Sequence, residues 1–264
     1  MIMENRLKRL LRNGEVAIGT MVVHLRTPTI AQMLKTAGFD FIFIDCEHGG
    51  FGVEAMADLI QAARGVGFPP IVRVPRLEPQ TLAHPLDLGA AGLLCPGTET
   101  RQDAELIIRS TKYHPRGERG MSLRNVHTAF AKGKGEEITR RLNEETLIIL
   151  QVETARGVDN LEGLVTVEGV DAVFVGPNDL SQTLGVPGEI HHPEVTKRIE
   201  RVIEACHQAG LAPGLHTYDV ESAKRWLEKG IRLLGYASDV AFIVDTGTAA
   251  TTELRGFLQR RKRG

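Results

Sequence analysis

Short apolar runs alternate with amphipathic segments along almost the whole chain. Eight of these runs span four to eight residues and are separated by glycine, proline or charged residues, a pattern that predicts short buried strands. The predicted strands are Val16–Val23, Phe39–Ile44, Pro70–Val74, Gly92–Cys95, Leu147–Val152, Ala172–Val175, Leu211–His216 and Ile231–Tyr236.

Amphipathic segments with helical spacing lie between most of these strands. The predicted helices are Met3–Asn13, Pro28–Ala37, Val53–Gly65, Pro79–Leu88, Thr100–Thr111, Val158–Val167, Asp219–Gly230 and Thr248–Arg261. This alternation predicts an α/β fold in which residues 1–264 form a single (β/α)₈ TIM barrel. An open doubly wound sheet is the alternative, and it is less favoured because no Gly-x-Gly-x-x-Gly follows strand one.

The longest segment without a regular pattern is Tyr113–Gly135, which is rich in glycine and arginine. A connection of this length without secondary structure of its own is typical of a functional loop.

Composition and charge limit the classes of partner. The formal net charge is −1, which argues against a nucleic acid or a membrane surface as the main partner. The three cysteines have no metal-type spacing, and no apolar run approaches the ~18 residues that a membrane span requires. The sequence therefore predicts a soluble, cytoplasmic protein.

Polar residues follow two neighbouring predicted strands within Leu147–Leu180. Strand five ends at Gln151-Val152-Glu153, and strand six ends at Gly176-Pro177-Asn178-Asp179. A strand–helix–strand crossover makes these strands parallel, so Glu153 and Asp179 are expected at the same end of the barrel. Two carboxylates there suit a divalent cation such as Mg²⁺ or Mn²⁺, although both residues could instead be helix N-caps.

Strands two and three add further candidates at the same rim. Strand two is followed by Asp45, Glu47 and His48, and strand three contains Arg73. His48, oriented by Asp45 or another carboxylate, is a candidate general base. Arg73 is placed to stabilise negative charge on a 2-oxo acid that binds the cation. Each residue alone has a structural explanation, but four strands with titratable ends are typical of an active site.

Two other mechanisms find little support. None of the lysines lies in or at the end of a predicted strand, so no Schiff-base nucleophile is evident. The chain also lacks a Gly-x-Ser-x-Gly motif for a serine nucleophile.

Several segments together resemble the metal-dependent (class II) pyruvate aldolases of the HpcH/HpaI family. The segments are FDFIFIDCEHG, PPIVRVP, LDLGAAGLLCPGTET, YHPRGERGMS, LQVETARGVDNLEGL and VEGVDAVFVGPNDLSQTLG, and they occur in the family's order. The resemblance implies a (β/α)₈ barrel that cleaves or forms 4-hydroxy-2-oxo acids, with pyruvate or a close analogue as the nucleophile.

The resemblance also assigns roles. Glu153 and Asp179 match the ligands of a divalent cation, Mg²⁺, Mn²⁺ or Co²⁺, and His48 matches the general base. Arg73 matches the residue that stabilises the enolate, Asp87 matches a carboxylate that raises the basicity of the histidine, and Asp45 resembles a second partner of it. Gln151, the Asn178 backbone and Asp179 match substrate contacts.

His216 stands where some relatives have an aliphatic residue in the aldehyde pocket. A histidine there would favour a polar acceptor, or it could be a structural residue. The resemblance further implies a homohexamer in which C-terminal helices are exchanged between subunits.

These features predict a divalent-metal-dependent aldolase that acts on a 2-oxo acid and an aldehyde. A malyl-CoA/citramalyl-CoA-type lyase on the same barrel is the alternative, with the arginine-bearing Tyr113–Gly135 loop contacting the CoA phosphates. A barrel kept as a non-enzymatic binding scaffold is a third hypothesis.

Overall fold

A computed structural model describes residues 4–263 of the chain, with the side chains described as far as residue 261. Eight parallel strands close into a barrel in chain order, which confirms the predicted (β/α)₈ architecture. The strands are β1 Ala17–Val22, β2 Phe41–Asp45, β3 Pro70–Arg73, β4 Gly92–Cys95, β5 Leu147–Val152, β6 Ala172–Val175, β7 Ala212–Thr217 and β8 Leu233–Ser238.

The described residues contain twelve α-helices and a short 3₁₀-helix at Val126–Thr128. The α-helices are α1 Arg6–Arg12, α2 Ile30–Thr36, α3 Val53–Gly65, α4 Pro79–Asp87, α5 Arg101–Thr111, α6 Gly135–Glu145, α7 Ala155–Asp159, α8 Leu161–Val165, α9 Pro177–Thr183, α10 Pro193–Ala209, α11 Val220–Glu228 and α12 Asp239–Arg263. Within residues 4–263, none of these helices has the length and apolar character needed to cross a lipid bilayer.

Both faces of the strands are buried, which is why their sequences are continuously apolar rather than alternating. Every second residue points into the barrel, where Phe41, Phe43 and Phe174 form an aromatic stack with edge-to-face contacts. Glycines on neighbouring strands make room for these rings. A Cβ on Gly19 would lie 2.4 Å from the Phe41 ring, and a Cβ on Gly214 would lie 2.4 Å from the Phe174 ring.

Helix α1 covers the end of the barrel at which the strands begin. Leu7 and Leu11 are buried with the inward-facing residues of the strands. Asn5, the N-cap of α1, donates to the carbonyls of Ala91 and Glu145, which lie just before β4 and β5. The floor of the barrel is therefore closed, and the opposite end is the mouth that can admit a ligand.

Several predicted boundaries differ from the structure. The segment Val158–Val167 is not one helix, because the chain breaks at Asn160 into α7 and α8. The last helix begins at Asp239 rather than near Thr248. The Tyr113–Gly135 segment contains the 3₁₀-helix and leads directly into α6, for which no helix was predicted. Met3 of the predicted first helix lies outside the described residues.

Candidate active site

Successive residues of a strand point to opposite faces of the sheet, so only every second polar side chain near a strand end points into the barrel. Asp45 follows Phe41 and Phe43 on the inward face of β2, and Arg73 follows Ile71 on β3. Gln151 lies two residues beyond the inward-facing Ile149 on β5. The polar layer of the barrel is therefore its last layer, at the mouth.

Arg73 and Asp45 are paired side by side, because their strands are adjacent and the two residues share a register position. Arg73 Nε donates to Asp45 Oδ1 at 2.9 Å, and Nη2 donates to Oδ2 at 2.5 Å. Burial alone would raise the pKa of Asp45, but the hydrogen bonds and charge of Arg73 outweigh it and lower that pKa. The pair therefore stays charged, and the guanidinium is held in one orientation.

Glu153 follows β5 and is held by two donors. The backbone N–H of Gly97 donates to Oε1 at 2.7 Å, and the Gln151 side-chain amide donates to Oε2. Burial raises the pKa of Glu153, the two hydrogen bonds oppose that rise, and the nearby Asp179 adds to it. A cation between the two carboxylates would offset the repulsion that Asp179 exerts on the charge of Glu153.

Gly176 makes room for the Glu153 carboxylate. A Cβ on Gly176 would lie 2.7 Å from Glu153 Oε2, so a larger residue here would displace the carboxylate. Asp179 is exposed in the first turn of α9, and Gly176 is the N-cap of that helix. The cap of α7 is Thr154, which accepts from the Gly157 N–H. Neither Glu153 nor Asp179 is therefore a helix N-cap.

His48 lies in the loop after β2 with 65% of its side chain exposed. Asp45 does not contact its ring, because Asp45 Oδ1 accepts the backbone N–H groups of Glu47 and His48 instead. Glu47 Oε2 lies 3.9 Å from His48 Nε2 and 3.2 Å from Arg73 Nη1. The pattern of charged residues placed Glu47 at the rim, but only the loop conformation reveals these two contacts.

The loops after β6 and β7 meet at one side of the mouth. Asn178 donates through Nδ2 to the hydroxyl of Tyr218 at 2.7 Å, and the Tyr218 ring packs against the edge of His216, with ring centroids 5.0 Å apart. Burial, reinforced by the charge of Arg73, lowers the pKa of His216 to about 4, so its ring is neutral at neutral pH. Sequence reasoning missed Tyr218, since a single tyrosine in a loop carries no motif.

Polar atoms without partners concentrate at this mouth. Among the described residues, four buried side-chain polar atoms lack a hydrogen-bond partner. Three of them are Glu47 Oε2, Gln151 Oε1 and His216 Nδ1, and the fourth is Arg119 Nε. Buried polar groups are normally satisfied, so this concentration indicates a site that is completed by a ligand.

The oxygen-rich donor set fits a hard divalent cation. Glu153 and Asp179 can each supply a carboxylate oxygen, and Mg²⁺-type ions are commonly held by one or two carboxylates together with water and substrate oxygens. Within residues 4–263, no group of three or more His, Cys, Asp and Glu side chains is arranged to bind a metal. A cation here would therefore depend on substrate or water oxygens for its remaining ligands.

Asp87 is not part of this mouth in its own chain. It ends α4, which runs back from the mouth to the closed end of the barrel, and Arg119 Nη2 donates to its Oδ1 at 2.5 Å. The expected contact between Asp87 and His48 is therefore not made within one chain. The backbone carbonyl of Asp87 also lies 3.3 Å from Nδ1 of the buried His127.

The arginines of the Tyr113–Gly135 segment lie near the same closed end. Arg119 is buried against Asp87 and over the Tyr113 ring, and Arg116 pairs with Glu168 at 2.7 Å. These two cations are already neutralised within the chain. Neither Arg116 nor Arg119 is therefore available to bind a phosphate at the mouth of its own barrel.

Lys112 is a buried lysine, and a lysine of low pKa can form a Schiff base with a carbonyl substrate. Burial lowers the pKa of Lys112 to about 7, with a smaller contribution from the charge of Lys8. Its ammonium group donates to the carbonyls of Asn143 and Thr146, which precede β5 at the closed end of the barrel. Lys112 is therefore remote from the mouth.

The fold and the mouth define a (β/α)₈ barrel with an acidic and guanidinium-bearing site, and comparison with known proteins assigns its family. The family model described as HpcH/HpaI aldolase/citrate lyase matches residues 20–246. A 5-keto-4-deoxy-D-glucarate aldolase from Escherichia coli O9:H4 (strain HS) is 34% identical over 239 residues, which cover 90% of this chain and 92% of that protein.

Two solved structures agree with this assignment. An HpcH/HpaI aldolase from Desulfitobacterium hafniense DCB-2 superposes with a TM-score of 0.90 at 30% identity, covering 94% of this chain and 96% of that one. An HpcH/HpaI aldolase/citrate lyase family protein from Burkholderia cenocepacia J2315 gives a TM-score of 0.88 at 36% identity, covering 95% and 99%. The chain belongs to the HpcH/HpaI aldolase/citrate lyase family. It is accordingly an enzyme of the carbon–carbon lyase class.

Proposed function

We propose that this enzyme is a divalent-metal-dependent aldolase that reversibly cleaves a 4-hydroxy-2-oxo acid into pyruvate, or a close 2-oxo acid analogue, and an aldehyde. The observation that carries the proposal is the convergence of an oriented guanidinium with a carboxylate pair. Arg73 is fixed by Asp45, and Glu153 lies close enough for its charge to act on Arg73 while Asp179 acts on Glu153.

Glu153 and Asp179 would hold the cation, which we expect to be Mg²⁺, Mn²⁺ or Co²⁺. When bound, the cation supplies a Lewis acid that withdraws electron density from the 2-oxo acid. Gln151 Oε1, which has no partner, is proposed to accept from a hydroxyl of the same acid, and the backbone N–H of Asn178 is proposed to donate to its carboxylate. Arg73 Nη1 is the guanidinium nitrogen that Asp45 leaves free for the 2-oxo oxygen.

In the cleavage direction, His48 removes the proton of the C4 hydroxyl, directly or through a water. The C3–C4 bond then breaks, its electron pair moves to the 2-oxo oxygen, and the aldehyde leaves. Arg73 stabilises the negative charge of the resulting enolate. The proton on His48 returns to C3 of the enolate and gives pyruvate, so no proton is lost or gained overall.

The acceptor is proposed to be a polar aldehyde. His216 is neutral and its Nδ1 has no partner, so it can exchange a hydrogen bond with a substrate hydroxyl. Tyr218 and Asn178 add a hydroxyl and an amide on the same side. The related 5-keto-4-deoxy-D-glucarate aldolase makes 5-keto-4-deoxy-D-glucarate the first compound to test.

The test is a pyruvate-release assay on a panel of 4-hydroxy-2-oxo acids that includes 5-keto-4-deoxy-D-glucarate. Chelation is expected to abolish release, and Mn²⁺, Co²⁺ or Mg²⁺ to restore it. Glu153→Gln and Asp179→Asn should lose Mn²⁺ binding measured by calorimetry, whereas the exposed Asp58→Asn should keep it. Full activity in excess chelator, or covalent trapping of pyruvate by borohydride, would overturn the proposal.

We also propose that the enzyme assembles as a homohexamer, as the family resemblance implies. Two features of the single chain support assembly. Helix α12 exposes the apolar residues Ile243, Val244, Leu254, Phe257 and Leu258, and Asp87 can reach a His48 only in another copy. The mass of the particle in solution, measured by sedimentation, tests this proposal.

A further inference from the structure

Glu47 is a charged residue of the mouth that has no role in the proposed reaction. Its side chain is 22% exposed, and its Oε2 atom is buried without a hydrogen-bond partner among the described residues. The same atom lies 3.2 Å from Arg73 Nη1 and 3.9 Å from His48 Nε2. Glu47 therefore lies near two side chains of the proposed reaction: Arg73, which stabilises the enolate charge, and His48, which takes the proton.

Asp45 and Asp87, the two carboxylates expected to assist His48, bind other residues within the chain. Both oxygens of Asp45 accept from Arg73, and Oδ1 also accepts backbone N–H groups. Asp87 is bound to Arg119 at the closed end of the barrel. Within residues 4–263, Glu47 is the one carboxylate with an oxygen within 4.0 Å of the His48 ring nitrogens.

Proton transfer to His48 creates a second cation beside Glu47, whose Oε2 atom already lies near Arg73. Two positive charges near one point repel one another, whereas a carboxylate between them offsets the repulsion. The third residue of a Ser-His-Asp triad acts in this way, since it orients the imidazole and stabilises the imidazolium without taking the proton. Glu47 lies on the His48 ring in a comparable way, at 3.9 Å from Nε2, a distance for an ion pair with the imidazolium rather than a hydrogen bond.

We infer that Glu47 is a positioning residue whose carboxylate orients His48 and balances the imidazolium that forms when His48 takes the C4 hydroxyl proton. This inference rests on the proposed aldolase function. It gives Glu47 no contact with the substrate and no proton to transfer. Its effect is confined to the step in which His48 becomes charged.

Other charged groups of the same chain lie around the mouth, and their contacts leave Glu47 as the carboxylate nearest the His48 ring within one chain. Asp45 is neutralised by Arg73. Glu153 and Asp179 are the proposed ligands of the cation. Arg26, from the loop after β1, donates to the carbonyl of Gly50 at 2.7 Å, two residues beyond His48. Within residues 4–263 of one chain, removing the Glu47 charge would therefore leave no carboxylate oxygen within 4.0 Å of the His48 ring nitrogens.

Aldol cleavage and oxaloacetate decarboxylation form the same pyruvate enolate, and comparing their rates distinguishes a role through His48 from a structural role. Cleavage of a 4-hydroxy-2-oxo acid requires His48 to accept a proton before the C3–C4 bond breaks. Decarboxylation of oxaloacetate leads to the same pyruvate enolate without deprotonation of a hydroxyl group. A residue that only supports the fold or Arg73 would affect both reactions, whereas a residue that acts through His48 affects cleavage.

The experiment compares wild-type enzyme with Glu47→Gln, and with Glu54→Gln as a matched control on the exposed first turn of α3. For Glu47→Gln we expect kcat of cleavage to fall about tenfold or more, with KM and oxaloacetate decarboxylation within about threefold of wild type. The acidic limb of the pH profile of cleavage should move to lower pH. Glu54→Gln should match wild type in all of these measurements.

The outcomes separate this inference from the proposed function. Wild-type enzyme with neither activity would overturn the aldolase function. Active wild-type enzyme with equal losses of both activities in Glu47→Gln, or with no loss of cleavage, would overturn the role of Glu47 alone. If Glu47→Gln does not fold, Glu47→Ala carries the test, and added formate should restore cleavage but leave decarboxylation unchanged. Absence of rescue would then count against the inference.

Discussion

Asp45 and Arg73 form a buried two-point ion pair across neighbouring strands, with 1% and 11% of their side chains exposed. Nε and Nη2 of Arg73 are both used by Asp45. The third nitrogen, Nη1, is not used by Asp45; it lies 3.2 Å from Glu47 Oε2 and carries a second N–H that can donate to a ligand. The pair therefore orients one nitrogen toward the site, and this orientation depends on a forked group that a lysine cannot reproduce.

Arg73→Lys should accordingly impair catalysis far more than folding. An ammonium can neutralise Asp45, but it cannot contact Asp45 at two points and also donate to an enolate oxygen. We expect kcat/KM for cleavage to fall about a hundredfold or more, the size typical of losing one oxyanion donor. The exposed Arg76→Lys is the control, and the measurement is steady-state pyruvate release. Near wild-type activity in Arg73→Lys would contradict the role given to Nη1.

Gly176→Ala tests whether the carboxylate of Glu153 must occupy its present position. The added methyl group would lie 2.7 Å from Glu153 Oε2 and 3.0 Å from Glu153 Cβ, so the side chain must move. We expect Mn²⁺ affinity to weaken by about tenfold or more, as for other losses of support around a metal ligand. Calorimetric titration with Mn²⁺ measures this change directly.

The control for this substitution is Gly247→Ala in α12. Apart from the adjoining helix backbone and the two neighbouring residues, no atom of the described structure lies within 4 Å of the added methyl group there, and alanine favours a helix over glycine. This variant should bind Mn²⁺ like wild type. Equal Mn²⁺ affinities in wild type and Gly176→Ala would show that Glu153 is not held as a cation ligand.

The sequence predicted the strands better than the helices between them. A buried strand of four to six residues appears as an apolar run, so β2 and β5 were located within about two residues. The break between α7 and α8 at Asn160 leaves no such mark, because the apolar spacing continues through Val158–Val167. Helix α6 was missed because few of its residues are apolar.

The residues of the candidate site also differ in whether the sequence could predict their positions. Residues on strand ends, such as Arg73 and Gln151, follow from the two-residue period and the topology of the barrel. The contacts of Glu47 and Tyr218 depend on loop conformations that no short pattern encodes. The position of Asp87 could have been predicted, since a helix that returns from the mouth must end at the closed end. The family resemblance alone placed it beside His48.

Lys112 should make stability depend on pH in alkaline solution. Its pKa is about 7 in the folded protein because of burial, against 10.5 for an unperturbed lysine. Between these values the unfolded chain binds a proton that the folded chain does not, so stability rises with pH across that window. Lys112→Met should remove this dependence, which is at most about 1.4 kcal/mol per pH unit.

Urea unfolding of wild type and Lys112→Met at several pH values within that window measures the difference between the two slopes. Lys35→Met, which alters an exposed lysine, should keep the wild-type slope. Equal slopes of unfolding free energy against pH for wild type and Lys112→Met would show that Lys112 stays protonated in the folded protein. The carbonyls of Asn143 and Thr146 would then be sufficient to hold the charge.

Asp87 and His48 can meet only if they belong to different copies of the chain. The family resemblance pairs the two residues, so Asp87→Asn and His48→Gln should each inactivate sites, whereas mixed oligomers should contain some sites with both natural residues. Co-expression of the two variants should therefore give more cleavage activity than the sum of the separate variants. Purely additive activity would mean that Asp87 serves only Arg119.

The apolar residues of α12 should determine the size of the oligomer. Leu254 is 63% exposed and Phe257 is 49% exposed on a helix that extends beyond β8, and such a surface is costly in water. Leu254→Glu combined with Phe257→Glu should therefore lower the particle mass in sedimentation without unfolding the barrel. Thr252→Glu with Gln259→Glu adds the same charge at exposed polar positions of α12 and should leave the mass unchanged. If both double variants sediment like wild type, another surface joins the subunits, whereas equal dissociation of both would indicate charge repulsion rather than lost apolar contact.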